Sequence, residues 1–183
     1  MFENVELDYL RYGGQRGGLL KYIWRFIVCR GFRATVLYRI AHWCYERHFK
    51  IGYGICVRLM SHLCHCAIGP SCRIGGGLRI AHGFGLVIGG GTIIGKNCDV
   101  RQNITFGGNF NKRDSEGHSK PILGDNISVG AGAVLLGPVR IGSNSIIGAN
   151  AVVTKDVPEN VIVAGVPARI IKERWSPETG RKL

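Results

Sequence analysis

Between Ile68 and Val166 apolar residues recur every six positions, usually followed by a small residue. One series is Ile68-Gly69, Ile74-Gly75, Ile80-Ala81 and Leu86; a second is Ile88-Gly89, Ile94-Gly95, Val100 and Phe106. A third runs Leu123-Gly124, Val129-Gly130, Leu135, Ile141-Gly142, Ile147-Gly148 and Val153. Neither a helix period of 3.6 nor a strand period of 2 gives this spacing. Short flat runs separated by turns do, so the chain winds into a coil whose successive layers stack as parallel strands. The apolar residue fills the coil, and glycine is expected behind it because the corner needs backbone angles that a side chain obstructs. The repeats leave room for about five coils of three faces each.

Composition supports this reading at two points. The 28 glycines of the 183 residues accompany 45% hydrophobic residues, so they belong to corners and not to disorder. Seven cysteines without a regular framework or a preceding secretory signal point to a reducing cytoplasm. The apolar run Leu19 to Cys29 is broken by Lys21 and Arg25, which argues against a membrane span. The net charge of +12 is spread evenly: residues 1–66 carry 10 Lys/Arg against 4 Asp/Glu, and residues 67–183 carry 14 against 8. Without one basic tail, nucleic acid is not the expected partner. Acidic partners remain: a phosphorylated cosubstrate, an anionic glycan or an anionic membrane surface.

The chain divides into an N-terminal helical region (1–66), the coil (67–172) and a basic tail (173–183). Residues 1 to about 17 read as a poorly ordered or weakly helical start. Leu19, Leu20, Ile23, Trp24, Ile27 and Val28 then form one helical stripe. After an Arg30-Gly31 break, Phe32, Val36, Leu37, Ile40, Trp43 and Cys44 mark a second helix, and Ile55 to Cys66 a third apolar segment. Such stripes are expected to pack on one another and on the first coils. The alternative is peripheral membrane contact, because Lys21, Arg25, Arg30 and Arg33 lie among aromatics. His62, Cys64, His65 and Cys66 crowd before the coil, but no second Cys/His pair follows, so they read as structural and no metal is expected. Two features interrupt the coil. The phase slips by two residues between Leu86 and Ile88, directly after Ala81-His82-Gly83-Phe84-Gly85, and Gly107 to Pro121 forms a polar excursion with no evident partner in its own coil. Loops of that length inside compact repeats usually carry function.

The residues Ile80 to Gly89, Asn103-Ile104-Thr105-Phe106-Gly107-Gly108, Val129 to Ala133, Gly148 to Pro158 and Gly165-Val166-Pro167-Ala168-Arg169 resemble the left-handed β-helix acyltransferases, specifically the serine acetyltransferase-like branch. Tyr38-Arg39-Ile40-Ala41-His42-Trp43 resembles it more weakly. The resemblance implies a mainly β protein, a left-handed parallel β-helix with an N-terminal helical region. It further implies a homotrimer, acetyl-CoA held in grooves between neighbouring prisms, and acetyl transfer to a hydroxyl with a histidine as base. By the same resemblance His82 is the catalytic histidine, and His118, on the excursion, is a second candidate. Ala131 and Ala149 would admit the pantetheine arm, Thr154 and Lys155 would contact it, and Arg169 and Lys172 would lie near the nucleotide phosphates.

Acyl transfer to an alcohol needs a base at the hydroxyl and a donor at the developing oxyanion. His82, beside two glycines, suits the first role. The acceptor is expected to be a sugar hydroxyl, of a surface or capsular polysaccharide precursor; the alternative is L-serine. In serine acetyltransferases an aspartate precedes the histidine and holds the serine amine, and another fifteen residues earlier orients the imidazole. Here those positions are Ala81 and Ala67, and the positions of the family's loop arginine and histidine are Ser119 and Lys120. Arg113 on the same loop could substitute for the arginine. A non-catalytic scaffold on the same coil is the reading from another class, and His82 with Thr154, Lys155 and Arg169 argues against it. The inner face of the cytoplasmic membrane is an alternative location to the bulk cytoplasm.

Overall fold

The computed structural model describes residues 2–15 and 18–174. Strands β1 (Ala67–Ile68), β2 (Arg73–Ile74) and β3 (Arg79–Ile80) form the first coil. The second holds β4 (Val87–Ile88), β5 (Ile93–Ile94) and β6 (Asp99–Val100), and the third β7 (Thr105–Gly107), β8 (Ile122–Leu123) and β9 (Ser128–Val129). The fourth holds β10 (Val134–Leu136), β11 (Arg140–Ile141) and β12 (Ile146–Ile147). The fifth has β13 (Val152–Val153), a bridge from Val157 to Ile141, and β14 (Val161–Ala164), on which β15 (Arg169–Glu173) folds back antiparallel. Corresponding strands stack in parallel into three faces, a parallel β-helix of five coils.

The six-residue period fixes the core. Ile68, Ile88, Phe106, Leu135 and Val153 stack in register on the first face. Ile74, Ile94, Leu123, Ile141 and Val157 do so on the second, and Ile80, Val100, Val129, Ile147 and Val163 on the third. All fifteen are buried. The glycine behind the apolar residue has a different cause from the one expected. Gly130 does not have a positive φ, but a Cβ there would stand 2.5 Å from the backbone nitrogen of Ala149 in the next layer. Close approach of coils, and not a special backbone angle, excludes the side chain. The left-handed positions at the corners are filled instead largely by asparagines such as Asn126, Asn144 and Asn160, which tolerate that region. Their amides run as a ladder, Asn126 donating to Asn144 and Asn144 to Asn160, each at 3.1 Å.

Helices α1 (Phe2–Arg11), α2 (Leu19–Val28), α3 (Arg30–Glu46) and α4 (Lys50–Cys64) precede the coil. The start of the chain takes the helical one of the two forms expected, and firmly, because Asp8, buried on α1, takes both the Arg39 guanidinium of α3 and the backbone N–H of Leu78. The break between α2 and α3 falls at Cys29, and Gly31 lies inside α3, where a Cβ would strike the Ile80 carbonyl. The third helix starts at Lys50, earlier than its apolar run. α3 and α4 share the coil's core through Ala34, Leu37, Tyr38, Met60 and Cys64. α2 departs from expectation: none of its residues is buried, and its apolar stripe faces outward. Cys64 and Cys66 are buried, and burial pushes the Cys66 thiol up to about 12, so they pack as small apolar groups. Of the basic tail, Glu173 and Arg174 fall within the described residues and 175–183 lie outside them.

Candidate active site

Three corners on one edge, between the third and first faces, carry His82, Ala131 and Ala149. The His82 corner connects β3 to β4 and the Ala149 corner connects β12 to β13, three layers apart, or ~14 Å at the usual strand spacing. From Ile80 to Ile88 the chain takes two residues more than the six separating Val100 from Phe106, Val129 from Leu135 and Ile147 from Val153. The phase slip seen in the sequence is this longer corner. His82 sits at its bend with φ of 55° and is exposed. Among the described residues no group hydrogen-bonds its ring.

His82 lines a cleft of 350 Å³ with Tyr12, Val28, Arg30, Arg79 and Phe84 among its other walls. Phe84 lies between two groups: the Arg30 guanidinium is 4.0 Å from its ring centroid, and the His65 ring stacks on it at 5.6 Å. Tyr12 accepts the Ile80 N–H at 2.7 Å, two residues before His82, and burial raises its own hydroxyl well above the ordinary tyrosine value. Arg79 is paired with Asp99 at 2.5 Å, whereas Arg30 meets an aromatic face. No carboxylate is among the residues that line the cleft, and Asp99 is bonded to its Arg79.

Thr154, Lys155 and Arg169 line a second cleft, of 450 Å³, beside the fifth coil. Asp156, Ala168 and Ile170 also line it. Ala131 and Ala149 lie on adjacent layers below it, Asn150 donating its N–H to the Ala131 carbonyl at 2.8 Å. Lys172 is placed apart, opposite Ile162 on β15 and outside the lining of this cleft.

His118 stands on a different edge, on the excursion between β7 and β8, and the chain does not bring it to His82. The excursion does have partners in its own coil. Arg140 of β11 holds Asp114 at 3.0 Å and Glu116 at 2.9 Å, and Asp114 in turn faces His118 Nδ1 at 3.3 Å. Desolvation, the largest single influence, raises the Asp114 carboxyl, but the backbone N–H groups of His118 and Glu116 and the His118 ring together outweigh it, leaving the group below its ordinary value. Arg113 is spent within the loop on the Gly117 carbonyl at 2.9 Å, not held free for a substrate. Gln102, one layer beyond the His82 corner on the same edge, carries a buried side-chain oxygen without a hydrogen-bond partner. Nothing in the six-residue pattern marks it, since polar corner residues look alike in sequence.

Residues 120–155 match the family model described as bacterial transferase hexapeptide (six repeats). Serine acetyltransferase of Synechococcus elongatus is 42% identical over 145 residues, 77% of this chain and 57% of that protein. The solved serine acetyltransferase of Neisseria gonorrhoeae superposes with a TM-score of 0.84 at 32% identity, covering 98% of this chain and 69% of that one. Galactoside O-acetyltransferase of Escherichia coli is 48% identical over 63 residues, 34% of this chain and 31% of that protein. The chain belongs to the hexapeptide-repeat acyltransferases, with their left-handed β-helix. Within them its similarities lie chiefly with serine acetyltransferases; a polysaccharide-specific branch finds no such support. The chain spans about half the length of the curated relatives it matches.

Proposed function

We propose that the chain is an acetyl-CoA-dependent O-acetyltransferase that works as a homotrimer in the cytoplasm. The observation that carries this is one edge presenting His82 on its lengthened corner, in line with the small residues Ala131 and Ala149, while the cleft that holds Thr154, Lys155 and Arg169 lies at the fifth-coil end of the prism. Lys155 and Arg169 suit the nucleotide phosphates, and the edge between the clefts gives the pantetheine arm a path to His82. His82 then takes the proton of the acceptor hydroxyl as its oxygen attacks the thioester carbonyl; the tetrahedral intermediate collapses and the CoA sulfur leaves, taking up a proton. A ring without an orienting partner among the described residues is to be fixed by a neighbouring subunit or by the bound acceptor.

The relatives favour L-serine as the acceptor, against the sugar expected from sequence. A specific observation keeps the second reading. The cleft at His82 is lined by Arg30 and Arg79 and by no carboxylate, Asp99 is already shared by Arg79 and Arg11, and Ala67 and Ala81 supply none, so an ammonium group would enter without a counter-charge of its own. A neutral sugar hydroxyl carries no such cost. Incubation with acetyl-CoA and either L-serine or a panel of sugars, with the released thiol followed by colour, tests both. Saturable turnover that falls with His82→Ala is expected; turnover with neither class, or turnover that survives that substitution, refutes the reading. Light scattering is expected to give three times the chain mass.

A further inference from the structure

Helix α2 displays its apolar side. Leu19, Leu20, Ile23, Trp24, Ile27 and Val28 form one stripe along ten residues, exposed to between 45% (Ile23) and 80% (Leu20). The other side holds the helix to the protein: Tyr22 stacks on Tyr9 at 4.2 Å, Arg25 lies over the same ring at 6.0 Å, and Arg33 donates to the Phe26 carbonyl at 2.9 Å. The helix is therefore anchored by its polar and aromatic side with its greasiest side chains in water, and a contiguous patch of that kind marks an interaction surface.

Charge indicates what covers it. Glu46 is the only acidic residue from Tyr9 to Cys98, a stretch with 13 Lys and Arg. A second copy laid stripe to stripe would bring the exposed Lys21 of each helix toward like charge, with no carboxylate on either helix to answer it. An anionic bilayer answers both features at once. Its acyl boundary takes the apolar stripe and its phosphates take the cations. A helix of ten residues is ~15 Å long, too short to span but suited to lie in the interface plane. No described helix is long and apolar enough to cross a membrane.

We propose that α2 docks flat on an anionic phospholipid surface through Leu19, Leu20, Ile23, Trp24 and Ile27, with Lys21 at the headgroups. Val28, the last residue of the stripe, lines the cleft that holds His82. Docking thus sets the mouth of that cleft at the membrane surface and favours an acceptor whose hydroxyl is carried by an amphiphile. This consequence rests on the acetyltransferase reading; the docking does not.

The test is flotation of the whole chain with vesicles of phosphatidylcholine containing about 30% phosphatidylglycerol, against phosphatidylcholine alone. Binding to the anionic vesicles is expected to be at least about tenfold stronger. It should fall about fivefold in Lys21→Ala, the worth of one basic residue near such a surface. The double substitution Leu20→Ser and Trp24→Ser should lower it by about tenfold or more through lost apolar insertion. Both side chains are exposed, so circular dichroism and mass in solution should not change. His82→Ala should bind vesicles as the parent does, which separates docking from turnover. The proposal is overturned if anionic vesicles fail to bind, if the double variant binds as well as the parent, or if the double variant lowers the mass in solution, which would make the stripe a contact between copies.

Discussion

Arg39→Met should destabilise the protein by about 3 to 5 kcal/mol, because it leaves a buried carboxylate without its cation. Arg39 and Asp8 are almost wholly buried, joined through Nε to Oδ2 at 3.0 Å and Nη2 to Oδ1 at 3.1 Å. The guanidinium also donates to the Ile74 carbonyl and, at 2.6 Å, to that of Gly75. One side chain thus ties α1 and α3 to the first coil. Methionine keeps most of the volume but removes four donations, and Asp8 retains only backbone donors, among them the Leu78 N–H at 2.8 Å. Asp8→Leu should cost less, since Arg39 keeps two carbonyls. The double variant should recover at least about 1 kcal/mol relative to the sum of the singles. Desolvation already holds the Asp8 carboxyl above its ordinary value against the lowering effect of Arg39 and Leu78, and removing Arg39 raises it further. A carboxyl raised on folding binds its proton more tightly in the native state, so its contribution is present at low pH and lost as pH rises through the folded value. The deficit of Arg39→Met should therefore shrink on acidification from neutrality. Urea unfolding followed by circular dichroism measures each term. A loss under about 1 kcal/mol, or a deficit that grows on acidification, would refute the reasoning.

His82→Ala should lower turnover by about 100- to 10,000-fold with little change in CoA affinity, and His118→Ala should cost less; single-turnover kinetics and CoA titration separate the two effects. Lys155→Ala and Arg169→Ala should instead weaken CoA binding by about tenfold each with kcat nearly kept, as read from KM for the donor. Gly130→Ala should destabilise by about 1 to 3 kcal/mol in urea unfolding, since its Cβ would stand 2.5 Å from the Ala149 nitrogen. The Asp114 carboxyl lies below its ordinary value, so the stabilisation it gives the excursion is present above the unfolded value and lost only as pH falls through the lower folded one. Pepsin cleavage within 108–121 should rise only at the acid end of that window, and Asp114→Asn should open Lys112 and Arg113 to trypsin at mildly alkaline pH.

The coil was legible because one physical constraint, an apolar side chain pointing inward once per face, repeats at a fixed interval. Thirteen of the fifteen stacked residues could be placed from spacing alone, as could the interruption at His82; Val157 and Val163 stand four and ten residues after Val153 and fall outside the series. The glycines were legible in position but not in cause: backbone angle and interlayer contact leave the same residue in the sequence, and coordinates are needed to see that Gly130 is pressed by Ala149. The helices show the opposite limit. Periodicity states which residues of α2 share a face but not which way that face points. The direction is set by Tyr22 on Tyr9 and Arg33 on the Phe26 carbonyl, contacts between segments that no local pattern records.

The site divides along the same line. His82, Thr154, Lys155, Arg169 and Lys172 were named through the resemblance of their motifs; the fold brings Thr154, Lys155 and Arg169 to one cleft and, because β15 turns back antiparallel, leaves Lys172 outside it. Arg140, which pins the excursion, and Tyr12, which holds Ile80, lie 26 and 68 residues from their partners and carry no motif. Their effect on the acceptor is indirect but physical. Tyr12 fixes the strand that enters the His82 corner, and Arg140 keeps Asp114 and Glu116 on their own coil. Those two carboxylates are the acidic groups nearest His118, and Arg140 bonds to both. On the proposed trimer, a zwitterionic acceptor at His82 would draw its counter-charge from a neighbouring subunit, and a neutral one would need none. Turnover with L-serine that survives substitution of every acidic residue on the excursion would leave the amine without a counter-charge from that source, and would move the search to the N-terminal helices.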